Sequence, residues 1–76
     1  MKVIYDKETD TLDLIFRNGA VAESDEVREG IVVDYDQNGK LVSIEVLNAS
    51  EHVNEPETMV YQSKASKKSS LKPIKR

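Results

Sequence analysis

Apolar side chains recur at every second position in two segments near the start of the chain, a period typical of a β-strand. A polar turn, residues 6–11, separates the two segments. A hairpin closed here by two or by four loop residues pairs Tyr5 with Leu12 and Val3 with Leu14. Both loop lengths keep these apolar side chains on one face, whereas a three-residue loop would turn one strand over. We therefore predict a first hairpin with this register.

The strongest strand pattern lies in the middle of the chain. Residues 31–35 and 41–47 are rich in β-branched side chains, and Asn38 and Gly39 between them favour a tight hairpin turn. A two-residue loop at that dipeptide would leave one face of the hairpin wholly apolar. The predicted cross-strand pairs are Tyr35–Val42, Val33–Ile44 and Ile31–Val46.

The remaining elements have weaker patterns. Residues 20–28 carry a cluster of acidic side chains, which suits an exposed edge strand because charge discourages edge-to-edge pairing. Further along, Asn48 or Ser50 can cap a short helix through residues 51–53, and Pro56 would stop it. These signals predict one edge strand and one short helix.

Together these elements predict a mainly β fold, a small antiparallel β-meander of about five strands with a short C-terminal helix and a flexible tail. The strands are expected near residues 2–5, 11–16, 20–27, 31–36 and 40–47. The apolar face is expected to comprise Val3, Tyr5, Leu12, Leu14, Phe16, Ile31, Val33, Tyr35, Val42, Ile44 and Val46. Because no long helix is available to cover this face, we expect a homodimer or a heterocomplex with a small basic protein.

Composition narrows the class of protein. The chain has 76 residues, no cysteine and one histidine, which excludes disulfides, thiol chemistry and sites built on several imidazoles. It contains neither a long apolar run nor a signal-peptide pattern, so we expect a cytoplasmic protein. Residues 1–53 form the predicted domain and carry a net charge of −7, whereas residues 54–76 carry +4. This second part is expected to be a basic tail, disordered or ordered by a partner.

Several segments resemble a known family. They are Val3-Ile4-Tyr5-Asp6, Asp10-Thr11-Leu12, Val21-Ala22-Glu23, residues 30–36, residues 39–47 and Ala49-Ser50. Over about residues 1–51 the chain resembles the small prokaryotic family called domain of unknown function 2283, although a glycine is more usual where Ser43 stands. The resemblance implies a β-meander of about five strands with a short C-terminal helix, and it brings no catalytic residues. Some members sit beside genes of another small family, domain of unknown function 4258, an arrangement that looks like a toxin–antitoxin pair.

One motif suggests a calcium site. Residues 34–45 match the calcium-loop pattern D-x-[DN]-x-[DN]-G-x5-E. That loop lies between two helices in calcium-binding proteins, whereas the residues before it here are β-branched. The hairpin also places Glu45 too far along its strand to join Asp34 and Asp36 around one ion. We therefore expect no metal and no cofactor.

Two groups of acidic residues are candidates for a chemical role. Asp6, Glu8 and Asp10 lack the glycine and the closing glutamate of a calcium loop, so we expect them to be solvated acids of a turn. Asp34 and Glu45 share the second face of the main hairpin, where a carboxylate pair can perform acid–base chemistry. No histidine, cysteine or substrate-anchoring arginine accompanies them, so we expect exposed or partner-facing acids and a protein that is not an enzyme.

The basic tail allows two functions. Its basic side chains near Tyr61 can contact nucleic-acid phosphates, or the apolar residues among them can fold onto a protein partner; an extension with no specific role is the third possibility. The candidate partner-binding residues are Tyr61, Lys64, Lys67, Lys68, Leu71 and Lys72. The leading function is non-enzymatic partner binding of an antitoxin-like kind, since an acidic body complements a basic partner. The alternative is a nucleic-acid-associated accessory protein acting through its basic tail.

Overall fold

The structure is a computed structural model that describes residues 1–65 of the chain. The elements are β1 (Lys2–Asp6), β2 (Thr11–Ile15), β3 (Glu23–Arg28), β4 (Ile31–Tyr35), β5 (Leu41–Leu47) and α1 (Ala49–His52). The predicted mainly β fold, with five strands in one antiparallel sheet and a short C-terminal helix, is confirmed. No helix in this part of the chain is long and apolar enough to cross a membrane.

The order of the strands differs from the sequential order of a meander. The sheet runs β1-β2-β5-β4-β3, so β5 lies between β2 and β4 and all neighbours are antiparallel. Residues 16–22 pass the turn end of the β4–β5 hairpin: the N–H of Phe16 donates to the carbonyl of Val42, and that of Ala22 to the carbonyl of Tyr35, both at 2.8 Å. The apolar strand β5 takes the central position, because acidic side chains on β3 would be desolvated there.

The first hairpin has the predicted register. Tyr5 lies opposite Leu12 and Val3 lies opposite Leu14. On its other side β2 pairs with β5, and Leu12 lies opposite Val46. The period-two pattern therefore fixed both the pairing and the face of the apolar side chains.

The second hairpin follows the prediction except near its turn. The Ile31–Val46 and Val33–Ile44 pairs are confirmed, but Tyr35 lies opposite Leu41 and a bulge leaves Val42 as the extra residue. The N–H of Gly39 donates to the carbonyl of Asp36 at 2.9 Å, and Gly39 has φ +79°, so the loop contains three residues and not two. A glycine in this left-handed conformation is typical of three-residue hairpin loops, and the bulge restores the alternation of faces.

The Asp36 side chain stabilises this loop. Its Oδ1 accepts the backbone N–H groups of Lys40 at 2.9 Å and of Asn38 at 2.8 Å, and its Oδ2 lies 3.7 Å from the guanidinium of Arg17. The hydrogen bond from the N–H of Lys40 is the main reason why the pKa of Asp36 is below its usual value. Arg17, at the start of the 16–22 connection, is thereby tied to the turn that the connection passes.

The helix packs at one end of the apolar face. Ala49 is fully buried against Leu12 and Val46, and Val53 packs on the same cluster from just beyond the helix. Of the two predicted cap positions the helix uses Asn48, and it ends at His52 because Val53 already has extended backbone. This small cluster contains three of the four buried apolar residues in the described part of the chain, and Val42 is the fourth.

Candidate functional site

The apolar face is mostly half-buried within the single chain. Of its eleven predicted residues, only Leu12, Val42 and Val46 are buried, and the other eight retain partial exposure. The described cover lies over the β1–β2–β5 part of the sheet, where Val3, Tyr5 and Ile44 join the core cluster. A domain is normally built from two packed layers, and here the second layer is one turn of helix and the segment after it. The face is therefore incompletely covered by the described residues.

The segment after the helix runs beside β1. Pro56 and Met59 line a shallow depression together with Val3 and Tyr5. Lys7 forms an exposed ion pair with Glu57 at 3.2 Å, which attaches the segment to the first turn. The β1 side of the sheet thus receives cover that the β3 side does not receive from residues 1–65.

A row of polar side chains crosses the opposite face. Ser24 on β3, Asp34 on β4 and Ser43 on β5 are paired in register, so their side chains lie next to one another. The hydroxyl of Ser24 donates to Oδ1 of Asp34 at 2.6 Å, and that of Ser43 donates to Oδ2 at 2.7 Å. Asp34 is only 2% exposed. The sequence-based expectation that Asp34 is an exposed acid is wrong, because two hydroxyl donors make its burial tolerable.

Glu45 lies beside this buried carboxylate, and each group shifts the pKa of the other. The hydrogen bond to Asp34, then burial, then the negative charges of Asp34 and Asp13 raise the pKa of Glu45 to about 7. Burial alone would raise the pKa of Asp34 as well, but hydrogen bonds from Glu45, Ser24 and Ser43 outweigh it and hold that pKa below its usual value. Two carboxyl groups in contact ionise at different pH values because like charges resist being formed together. Asp34 therefore ionises at a lower pH than Glu45.

The calcium-loop match has a different structural basis. Strands β4 and β5 flank it in place of helices. Glu45 lies beside Asp34, as expected for two acids on one face of the hairpin, whereas Asp36 is engaged with the hairpin loop and Arg17. Within residues 1–65 no three potential ligands converge on one point. The pattern reflects a hairpin with a buried acid at its start.

Asp10 anchors the helix to the first hairpin, although the sequence suggested a solvated acid. Its carbonyl accepts the N–H of Ala49 at 2.8 Å, and its carboxylate accepts the N–H and the hydroxyl of Ser50, the latter at 2.7 Å. The hydroxyl of Tyr5 donates to the same carboxylate at 2.6 Å. Asn48 occupies the N-cap position but makes no side-chain cap. Asp10 thus caps the helix from 40 residues away in the chain.

These contacts also shift the pKa values of the anchor. The hydrogen bond from Tyr5, followed by those from Ser50, holds the pKa of Asp10 below its usual value. The same bond is the main reason why the pKa of Tyr5 is raised to about 12. Asp10 has φ +54°, a conformation that aspartate and asparagine adopt more readily than other residues with a side chain. The left-handed backbone conformation and the hydrogen bonds to an ionised carboxylate therefore both favour aspartate at position 10.

We expect Asp10→Ala to detach the helix and lower the melting temperature by about 5 °C, because a lost cap leaves helix N–H groups unsatisfied. Asp10→Asn should recover part of the loss, since its side-chain oxygen can still accept from Ser50. Thermal unfolding followed by circular dichroism measures both. Glu8→Ala, in the same turn, is the control and should leave the melting temperature unchanged. An equal melting temperature for Asp10→Ala and the wild type would contradict this role.

The predicted partner-binding residues are only partly within the described chain. Tyr61 is 70% exposed and Lys64 is also exposed, and both lie beyond the last helix. The other four candidates lie outside the described residues; they are Lys67, Lys68, Leu71 and Lys72. Asp10, Asp34 and Glu45 were not among the predicted binding residues. The structure does not bring Tyr61 or Lys64 to any of these three acids.

Comparison with known proteins places the folded region in a family. The model of a family described as proteins of unknown function, DUF2283, matches residues 2–50, which run from β1 into α1. An uncharacterized protein of Methanocaldococcus jannaschii is 41% identical over 54 residues, covering 71% of this chain and 46% of that protein. The chain therefore spans less than half the length of that relative. No solved structure matched the chain. The chain belongs to the DUF2283 family.

Proposed function

We propose that this chain is a non-enzymatic, cytoplasmic protein that binds a basic protein partner through the apolar face of its sheet, in the manner of an antitoxin. The observation that carries the proposal is the incomplete cover of that face. Eight of its eleven side chains remain partly exposed in the described part of the chain. Apolar surface of this kind is characteristic of interaction sites in small proteins.

The β4 side of the face is the best candidate for the contact. Ile31, Val33 and Tyr35 are half-buried, and none of them belongs to the cluster that packs under the helix. A partner that covers these side chains would supply the missing second layer. In the absence of that partner a second copy of the chain can bury the same surface, which would give a homodimer.

Charge supports a basic partner. Residues 1–53 carry a net charge of −7, and the acidic side chains of β3 and of the following turn are exposed. Opposite charge speeds association and disfavours acidic competitors more than it adds affinity. Tyr61 and Lys64 extend beyond the acidic body and are accessible to the same partner.

Co-expression with the products of the two flanking genes tests the proposal, with adjacent residues of β4 as a matched pair. Val33 lies on the apolar face and Val32 lies on the opposite face, and both are half-buried. We expect a complex with one flanking product that survives Val32→Gln and is lost with Val33→Gln. Light scattering after size-exclusion chromatography gives the mass of each species.

Two results would count against this function. One is a complex that survives Val33→Gln, since the apolar face would then not be the contact. The other is a wild-type chain that remains monomeric, forms no complex with either product and does not increase the fluorescence of a dye for exposed apolar surface. Either result would leave the fold intact and remove the apolar face as a binding surface.

A further inference from the structure

The two edges of the sheet differ in how much of them is covered. On the β1 side, residues 56–59 and the Lys7–Glu57 ion pair lie close to the edge strand. On the other side, within residues 1–65, β3 pairs with β4 alone, and all six residues of β3 are exposed. The outward N–H and C=O groups of an edge strand are unpaired and are a template for another strand. β3 is therefore the more accessible edge in the described chain.

The charges of β3 select what can pair with this edge. Glu23 and Asp25 lie opposite Tyr35 and Val33, on the side of the apolar face, and Glu26 lies on the other side of the sheet. In the described residues none of these three acids forms an ion pair, and Glu26 accepts the backbone N–H of Gly30 at 2.9 Å. The strand carries one basic residue, Arg28, so it remains net negative.

Two copies of the chain are poorly suited to join at this edge. Pairing of β3 with its own copy would bring acidic side chains from both strands together, and like charges directly opposite one another destabilise a strand pair. A strand with lysine or arginine at alternate positions would instead place positive charge beside the acids on one face. The half-exposed side chain of Val27, which is 50% exposed, adds apolar contact at the same edge.

We propose that the free edge of β3 binds an extended basic segment of a protein partner by adding it to the sheet as a further strand. This site extends the proposed function, because it supplies a second contact next to the apolar face. Main-chain hydrogen bonds give affinity in this mode, and side chains at alternate positions give specificity. The acidic side chains therefore act both as a barrier to self-association and as the selector for a basic strand.

Three synthetic peptides separate strand addition from simple charge attraction. The first alternates lysine and threonine, the second replaces each lysine by glutamate, and the third is the lysine peptide with alternate backbone nitrogens methylated. We expect the lysine peptide to shift the amide NMR resonances of residues 23–28 of the full chain. The methylated peptide keeps its charge but loses strand hydrogen bonds, so it should bind at least about tenfold more weakly, and the glutamate peptide should not bind.

Matched variants locate the contact on the protein. Asp25→Lys should weaken binding of the lysine peptide by about tenfold, whereas Glu51→Lys, the same charge change on the exposed part of α1, should leave it within about twofold. The lysine peptide is titrated into the wild-type chain without either flanking-gene product, so that failure of the edge site and failure of the apolar-face contact can be told apart.

Three outcomes would overturn the edge site. Equal binding of the lysine peptide and its methylated form would show charge attraction without strand addition. Shifts centred on residues outside 23–28 would place the contact elsewhere. Broadening of the same amides with protein concentration, without peptide, would show that a second copy occupies the edge.

Discussion

Asp34→Ala is expected to lower the free energy of unfolding by about 2 to 3 kcal/mol, because it removes the acceptor of two hydroxyl groups inside the sheet. Asp34 is 2% exposed and accepts from Ser24 at 2.6 Å and from Ser43 at 2.7 Å. Ser24 is exposed and can turn to water, whereas Ser43 is buried and would be left without a partner. Urea unfolding at pH 5, followed by circular dichroism, measures the change.

Two variants show whether the acceptor itself is responsible. Asp34→Asn keeps the size and one oxygen acceptor, so we expect it to lose less than half as much stability as the alanine variant. Asp25→Ala removes an exposed acid from β3 and should change the free energy of unfolding by less than about 0.5 kcal/mol. If Asp34→Ala lost as little stability as Asp25→Ala, the hydrogen bonds from Ser24 and Ser43 to Asp34 would contribute little to the free energy of unfolding.

The second large effect is a fall in stability as the pH rises from about 4.5 to about 7, produced by Glu45. Its pKa in the folded chain is about 7 against an ordinary value of 4.5, so the folded state holds a proton that the unfolded state releases. The stabilisation is complete below pH 4.5 and is lost as the pH rises through 7. Within that window one additional bound proton corresponds to a slope of about 1.4 kcal/mol per pH unit, which exposure of Glu45 to solvent reduces.

Asp34 contributes in the opposite direction at lower pH. Its pKa is lowered on folding, so its contribution is present above the ordinary value of 3.8 and is lost as the pH falls. The pair therefore predicts a stability maximum near pH 4 to 5, between the two transitions. Few proteins of this size would be expected to lose stability between pH 5 and pH 7, since stability commonly peaks in that range.

Glu45→Gln tests the assignment directly. Glutamine resembles the protonated side chain and can still donate to Asp34, but it does not ionise, so the fall in stability between pH 4.5 and 7 should largely disappear. At pH 8 the variant should be more stable than the wild type. Asp34→Asn should also return the pKa of Glu45 towards its usual value, which the carbon NMR shift of the carboxyl group reports. A wild-type stability that is level across this window would exclude a raised pKa for Glu45.

The pair formed by Asp34 and Glu45 also bears on the expected function. Glu45 lies beside Asp34 on one face of the sheet, and Ser24 and Ser43, which donate to Asp34, come from the two neighbouring strands. Strand pairing alone therefore accounts for the proximity of the two acids, and no substrate-binding role is needed to explain it. That the protein is not an enzyme remains a prediction, and the apolar face and the β3 edge are the surfaces on which its proposed function rests.

Local sequence determined the elements and their faces. The alternation around Val3 and Leu14 fixed the first register, and the β-branched residues beside Asn38-Gly39 fixed most of the second. The acids of residues 20–28 correctly indicated an edge strand. These features are predictable because strand period, turn chemistry and the desolvation of charge act between residues that are near in the chain or share one face.

Only the tertiary structure decided which distant segments meet. Insertion of β5 between β2 and β4 depends on competition among strands for the central position, which no single segment encodes. That insertion brings Ser50 to Asp10, across 40 residues, and turns an apparently solvated acid into a helix cap. Pairing of β3 with β4, and of β4 with β5, likewise surrounds Asp34 with two serines and Glu45. Burial and shifted pKa values follow from neighbours that pairing supplies, and for this reason the sequence alone placed these acids in solvent.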